Sequence, residues 1–155
     1  MTKTFFKTLR HAAGKTTELV RLLPTPYVGQ SIQGLERDAS ELLLHLAQVP
    51  REELLLMQGL PKQEIRQRLR TTVIDSEQFN SLLVSGIDEL EQFVEVQSPN
   101  RVMTNNNRIQ LTLEAWCLET VMHLCHHRAQ VYTHLCLEGI SVPRSLLQTL
   151  FVGHL

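Results

Sequence analysis

The chain has 155 residues, with 15 Lys and Arg against 16 Asp and Glu, seven His and three Cys. A formal net charge of −1 excludes the basic footprint of a nucleic-acid-binding protein, and 43% hydrophobic residues exclude a disordered tail. No apolar run approaches the ~18 residues of a membrane span, and an odd cysteine count does not suit a disulfide framework.

The length predicts a single domain over residues 1–155. The opening stretch MTKTFFKTLRHAAGK is basic without an apolar core, so it does not read as a secretory signal. The expectation is a reduced, cytoplasmic protein with neither membrane nor nucleic acid as partner. Leu occurs 27 times against 18 for Val and Ile together, and aromatics make up only 5%. Leu keeps its rotamer freedom in a helix, whereas sheets favour β-branched and aromatic residues, so the composition predicts an all-α fold.

In chain order, residues from about Lys3 to Leu23 predict a first helix, stopped by Leu-Pro-Thr-Pro at 23–26. Tyr27 to Glu36 reads as a loop. A second helix starts near Asp38 or Ser40 and runs to Val49. Pro50 then opens a separate helical segment through Met57, which Gly59 ends. Pro61 opens a short charged helix to about Arg70. Asp75, followed three residues later by Gln78, has the form of a capping box for a long helix carrying Leu82, Leu83, Ile87, Leu90 and Val94. Ser98-Pro99-Asn100 ends that helix. Arg101 to Thr104 and Arg108 to Leu111 flank Asn105 to Asn107 and predict a small β-hairpin. The last long helix covers about Thr112 to Glu138 and stops at Gly139, and Arg144 to Leu155 predicts a short helix packed on the end. Four major helices, short connecting helices and a hairpin before the last long one make a four-helix bundle.

The histidines carry the chemistry. His123 and His127 are four apart, so at ~100° per residue their rings differ by only about 40° and sit one turn apart on one face. Such a pair can pinch one ion, as in other helical metal sites. On the same helix Leu113, Cys117, Val121, Leu124, Val131 and Leu135 form one apolar stripe. Leu118, Met122, Cys125, Ala129, Tyr132 and Cys136 form a second. His123, His127 and Gln130 fall between the first stripe and the polar side, at the rim of the core, whereas His126 projects to the polar side with Glu119 and Thr133. None of the three Cys shares the face of the pair, which excludes them as direct ligands.

A third ligand is expected from a facing helix. In the second helix His45 interrupts the apolar template Leu42, Leu46 and Val49, where an unpaired polar ring costs on the order of 1–3 kcal/mol. One metal ion would satisfy His45, His123 and His127 together. Imidazole donors suit zinc, nickel, iron or copper, and the Irving–Williams order leaves the choice open. Glu119 and Asp38 are the candidates for orienting the imidazoles. His11, His134 and His154 read as ordinary structural residues. Two other stretches are set aside. Gly14-Lys15-Thr16 has Leu9 where a phosphate loop requires Gly and no strand before it, and Lys62 to Arg70 lacks aromatics for base stacking and reads as a solvated helix face.

The segment His123-x-x-x-His127-Arg128-x-Gln130, followed by Leu-Glu-Gly-Ile-Ser-Val-Pro, resembles the fourth-helix signature of the DinB/YfiT-like proteins. Ser40-Glu-Leu-Leu-Leu-His45-Leu-Ala resembles their second-helix motif, although members commonly have Gly at the position of Ala129. The resemblance implies a four-helix bundle, one divalent metal on His45, His123 and His127, and a homodimer. It also implies a metal-dependent thiol transferase that activates a low-molecular-weight thiol for attack on a small electrophile. The alternative is a non-catalytic bundle in which the three-His metal site is structural.

Overall fold

Each long helix begins where the sequence supplies a cap and stops where it supplies a breaker. The structure, a computed structural model, describes residues 2–32, 38–98, 100–104 and 109–146. The first helix, α1 (Thr2–Val20), buries Phe6, Leu9, Ala12, Ala13 and Leu19 on one face. It ends three residues earlier than the sequence predicts. Leu22 N–H and Leu23 N–H bond back to Leu19 and Val20 carbonyls in a tightened turn, because Pro24 can neither donate nor leave its predecessor helical.

The second helix, α2 (Ala39–Met57), is capped by Asp38, whose carboxylate accepts from Glu41 N–H at 3.0 Å. The expected break at Pro50 does not occur, and the proline lies inside one continuous helix. The ring removes one hydrogen bond, to the Leu46 carbonyl, yet the apolar period runs on unbroken through Leu46, Val49, Leu54 and Met57, all buried. Packing therefore outweighs the lost bond. Gly86 on the facing helix lets the two backbones approach there: a Cβ at that position would lie 3.4–3.6 Å from Arg51 and Pro50 atoms. Gly59, at φ +82°, closes α2 with Gly59 N–H on Leu56 and Leu60 N–H on Leu55.

A short helix α3 (Lys62–Arg68) precedes α4 (Ser76–Glu95). Asp75 caps α4 through Glu77 and Gln78 N–H, and Gln78 accepts in return from Ile74 N–H at 3.1 Å, one residue outside the expected capping box. The predicted hairpin is present as β1 (Val102–Thr104) paired antiparallel with β2 (Gln110–Thr112), and residues 105–108 at its tip lie outside the described residues. The last long helix, α5 (Leu113–Leu137), is capped by Thr112 and closed by Gly139 at φ +72°. Of the short helix expected from Arg144, a single 3-10 turn, Arg144–Leu146, is seen. Residues 147–155, His154 among them, are outside the described part, as are 33–37 of the loop before α2.

The four long helices form an all-α bundle in which α1 and α2 each pack against both α4 and α5. Leu42, Leu43, Leu46, Leu83, Ile87, Leu90 and Leu124 fill its centre, all at most 1% exposed. Ion pairs from Arg10 to Asp88 and Glu91, and from Arg51 to Glu89, tie α4 to α1 and to α2. The arrangement sets α2 beside α5 over the length that carries the three histidines of interest.

Candidate metal centre

The inner stripe of α5 is buried as the sequence predicts: Leu113, Cys117, Val121, Leu124, Val131 and Leu135 all face the core. His123 and His127 follow at its edge, one half-buried and the other 9% exposed. From α2, His45 projects out of the Leu42–Leu46–Val49 stripe towards them. The three Nε2 atoms converge, with separations of 2.9 Å for His45 to His127, 3.1 Å for His123 to His127 and 3.2 Å for His45 to His123. Among the described residues these three form the one group of His, Cys, Asp or Glu close enough to share an ion.

The opposite ring nitrogens are held just as closely. His45 Nδ1 lies 3.1 Å from a Glu52 carboxylate oxygen, His123 Nδ1 lies 2.8 Å from Glu53 Oε1, and His127 Nδ1 lies 2.7 Å from Gln130 Oε1. All three are acceptors, so each Nδ1 carries its proton and donates it. Each Nε2 then presents a lone pair to the other two. Three lone pairs at this spacing repel unless a cation sits among them. Nitrogens bound at about 2.0–2.1 Å to one ion, with ligand angles near 90–110°, lie roughly 3–3.4 Å apart, so the spacing suits a metal.

Glu53 adds a second indication. It is 4% exposed, and its Oε2 is buried without a hydrogen-bond partner. A buried carboxylate is costly unless positive charge is near. Among the described residues its one polar contact is the His123 ring, where the carboxylate favours positive charge, from a proton or a metal ion. The Glu53 hydrogen bond raises the His123 pKa, against burial and with help from the charges of Glu53, Glu52 and Glu119. Burial instead pushes His127 down to about 4, with the charges of His45, His123 and His126 acting the same way and Gln130 opposing. Burial also works to raise the Glu52 pKa, but the hydrogen bond and charge of His45 outweigh it and hold it low.

The carboxylates that orient the rings are thus Glu52 and Glu53, not Asp38 and Glu119. Asp38 is spent on the α2 cap, where it also accepts from Gly29 N–H and the Ser40 hydroxyl, and Glu119 points to solvent. In an unbroken α2, Glu52 follows His45 by seven residues, two turns along the same face. The signal was the helical spacing, hidden by reading Pro50 as a boundary.

His126 is exposed and stacks edge-on against His127, and His11 is exposed. His134 is 4% exposed on the side of α5 that bears His127 and takes no part in the cluster. The cysteines stay outside it too: Cys117 is buried and pushed up to about 11, burial raises Cys125, and Cys136 is exposed. Gly14, Lys15 and Thr16 lie within α1. Beside His45 a cleft of about 470 Å³ opens between α2 and α3.

No protein-family model and no curated protein matches the sequence. Solved structures do. A protein of Exiguobacterium sibiricum 255-15 assigned to the DinB family aligns with a TM-score of 0.72 at 23% identity, covering 94% of this chain and 96% of that one. A DinB-like protein of Bacillus subtilis aligns with a TM-score of 0.63 at 16% identity, covering 90% and 94%. This likeness spans nearly the whole of each chain: the fold is DinB-like.

Proposed function

We propose that the chain binds one divalent transition-metal ion through His45, His123 and His127 and transfers a small thiol onto an electrophile. The observation that carries the metal is the convergence of three Nε2 atoms on rings each fixed at Nδ1 by an acceptor. An ion on three imidazoles keeps an open position, where it acts as a Lewis acid and lowers the pKa of a bound thiol. The protein supplies the rest. Glu52, Glu53 and Gln130 hold the tautomers and ring planes and make the imidazoles more basic. His45 and His123, about a quarter exposed, leave that face of the cluster open, and the adjoining cleft gives a small molecule access. The thiol is supported by the resemblance of the second- and fourth-helix motifs.

A structural role for the metal has its own support, because His45 and His123 are 78 residues apart and an ion between them would tie α2 to α5. Elemental analysis of untagged protein, purified without chelators, tests the site first. One ion per chain is expected in the wild type and almost none in a His123→Ala/His127→Ala variant, and equal metal content in the two would refute the assignment. Transfer of small thiols to electrophiles, lost on metal removal while the helical circular dichroism persists, separates the enzyme from the structural bundle.

We also propose a homodimer of this single-domain chain in a reducing cytoplasm. Its support is the outer stripe of α5, where Leu118 and Met122 are 59% and 58% exposed. With Cys125, Ala129, Tyr132 and Cys136 they recur at alternating spacings of four and three, the seam a second helix fits. Light scattering at micromolar concentration is expected to give twice 17.8 kDa, and Met122→Glu to give the monomer. A wild-type monomer mass would end the proposal. Among the described residues no helix is long and apolar enough to cross a membrane.

A further inference from the structure

We propose that the cleft beside His45 is an anion subsite, in which Arg66 and Arg70 hold a carboxylate or phosphate of a small molecule whose other end reaches the histidine cluster. One wall is a single face of α2: Glu41, His45, Gln48 and Glu52 recur at helical spacing and all border the cleft. The other wall is α3 and the turn after it, with Ile65, Arg66 and Arg70. Two anchors fix that wall. Ile65 is 3% exposed, and Gln48, 6% exposed, donates its side-chain amide to the Leu69 carbonyl at 2.7 Å. The helix that bears His45 therefore also pins the backbone next to Arg70.

The arginines themselves point to a ligand. Arg51 is paired with Glu89, and Arg68, between the two in sequence, is paired with Glu64 at 2.7 Å. Among the described residues no group hydrogen-bonds or ion-pairs with the side chain of Arg66 or Arg70, and both exposed side chains border the cleft. Both guanidiniums border one concavity, and like charges repel one another. The acids of the facing wall do not relieve them: Glu52 is committed to His45, and Glu41 forms no ion pair with either. A guanidinium pair left open in a concavity of about 470 Å³ suits a bidentate oxyanion on a small ligand.

The arginine end stands by itself. The identity of the other end, a thiol at the metal, rests on the function proposed above, so the ligand class is a small thiol that also carries a carboxylate or phosphate.

The test is calorimetric titration of mercaptosuccinate, succinate, inorganic phosphate and 1-thioglycerol into zinc-loaded and chelator-stripped protein, wild type and Arg66→Gln/Arg70→Gln. Both arginines lie outside the metal cluster, so metal content and circular dichroism of the variant should match the wild type. Mercaptosuccinate should bind wild type about tenfold tighter than the variant or more, since the variant loses charge-assisted hydrogen bonds to the anion. Neutral 1-thioglycerol should not distinguish the two proteins. Whichever of succinate and phosphate binds the wild type more tightly identifies the anion. Arg66→Lys/Arg70→Lys should recover part of the affinity. Equal mercaptosuccinate affinities in wild type and Gln variant, or no anion binding to wild type, would overturn the subsite. Succinate should bind zinc-loaded and chelator-stripped protein alike, and if the wild type also takes up no zinc, the subsite stands while the metal reading fails.

Discussion

Zinc-loaded protein is expected to melt about 8–16 °C above chelator-stripped protein. A ligand that binds only the native state stabilises it by roughly 4 kcal/mol at a thousandfold excess over its dissociation constant. For a chain of this size each kcal/mol moves the midpoint by about 2–4 °C. The native state is the one that can hold three imidazoles at once, because His45 and His123 are 78 residues apart and meet only when α2 and α5 have packed. His123 and His127, being neighbours on one helix, give the unfolded chain a weaker two-point site, which trims the gain. Circular dichroism melts at fixed free zinc measure it directly. His45→Ala should abolish most of the shift with the metal-free midpoint little changed, and a wild-type midpoint indifferent to chelator would mean that no such site forms.

Leu124→Ala should lose about 2–5 kcal/mol of stability, the combined cost of lost burial and a cavity that its neighbours fill only in part. Leu124 is fully buried, between His123 and His127 in sequence, and faces the centre of the bundle. The same substitution at Leu137 on the same helix, 55% exposed, should stay within about 0.5 kcal/mol. Urea titrations with unchanged slopes compare the two without reference to function. Similar losses at both positions would contradict the assignment of the inner face of α5.

The helix-bundle architecture was legible because the Leu-rich stripes and the breakers told the same story. Asp75, Thr112, Gly59 and Gly139 act where the sequence places them. The convergence of the three histidines was legible for two separate reasons, the spacing of His123 and His127 and the intrusion of His45 into an apolar stripe. The shell around it was not. On its local chemistry Pro50 reads as a boundary, whereas the apolar period continues across it and α4 packs onto it through Gly86. With α2 divided, Glu52 and Glu53 fell on another element and Asp38 stood in for them. No local rule reveals that a carboxylate from one helix will meet a ring on another; the contact between Glu53 and His123 spans 70 residues.

That contact has a mechanical consequence. α2 supplies both the ring of His45 and the carboxylate that holds the α5 ring of His123, so the two helices grip each other in both directions. Sliding one past the other by a single residue moves side chains by ~1.5 Å and swings them by ~100°, enough to break the Glu53 contact and scatter the nitrogens together. The cluster thus works as a gauge of helix register, readable only when both rods are in step. Transplanting it into another bundle would require α2 from His45 to Glu53, α5 from His123 to Gln130, and the crossing between them; three histidines alone would carry none of that alignment.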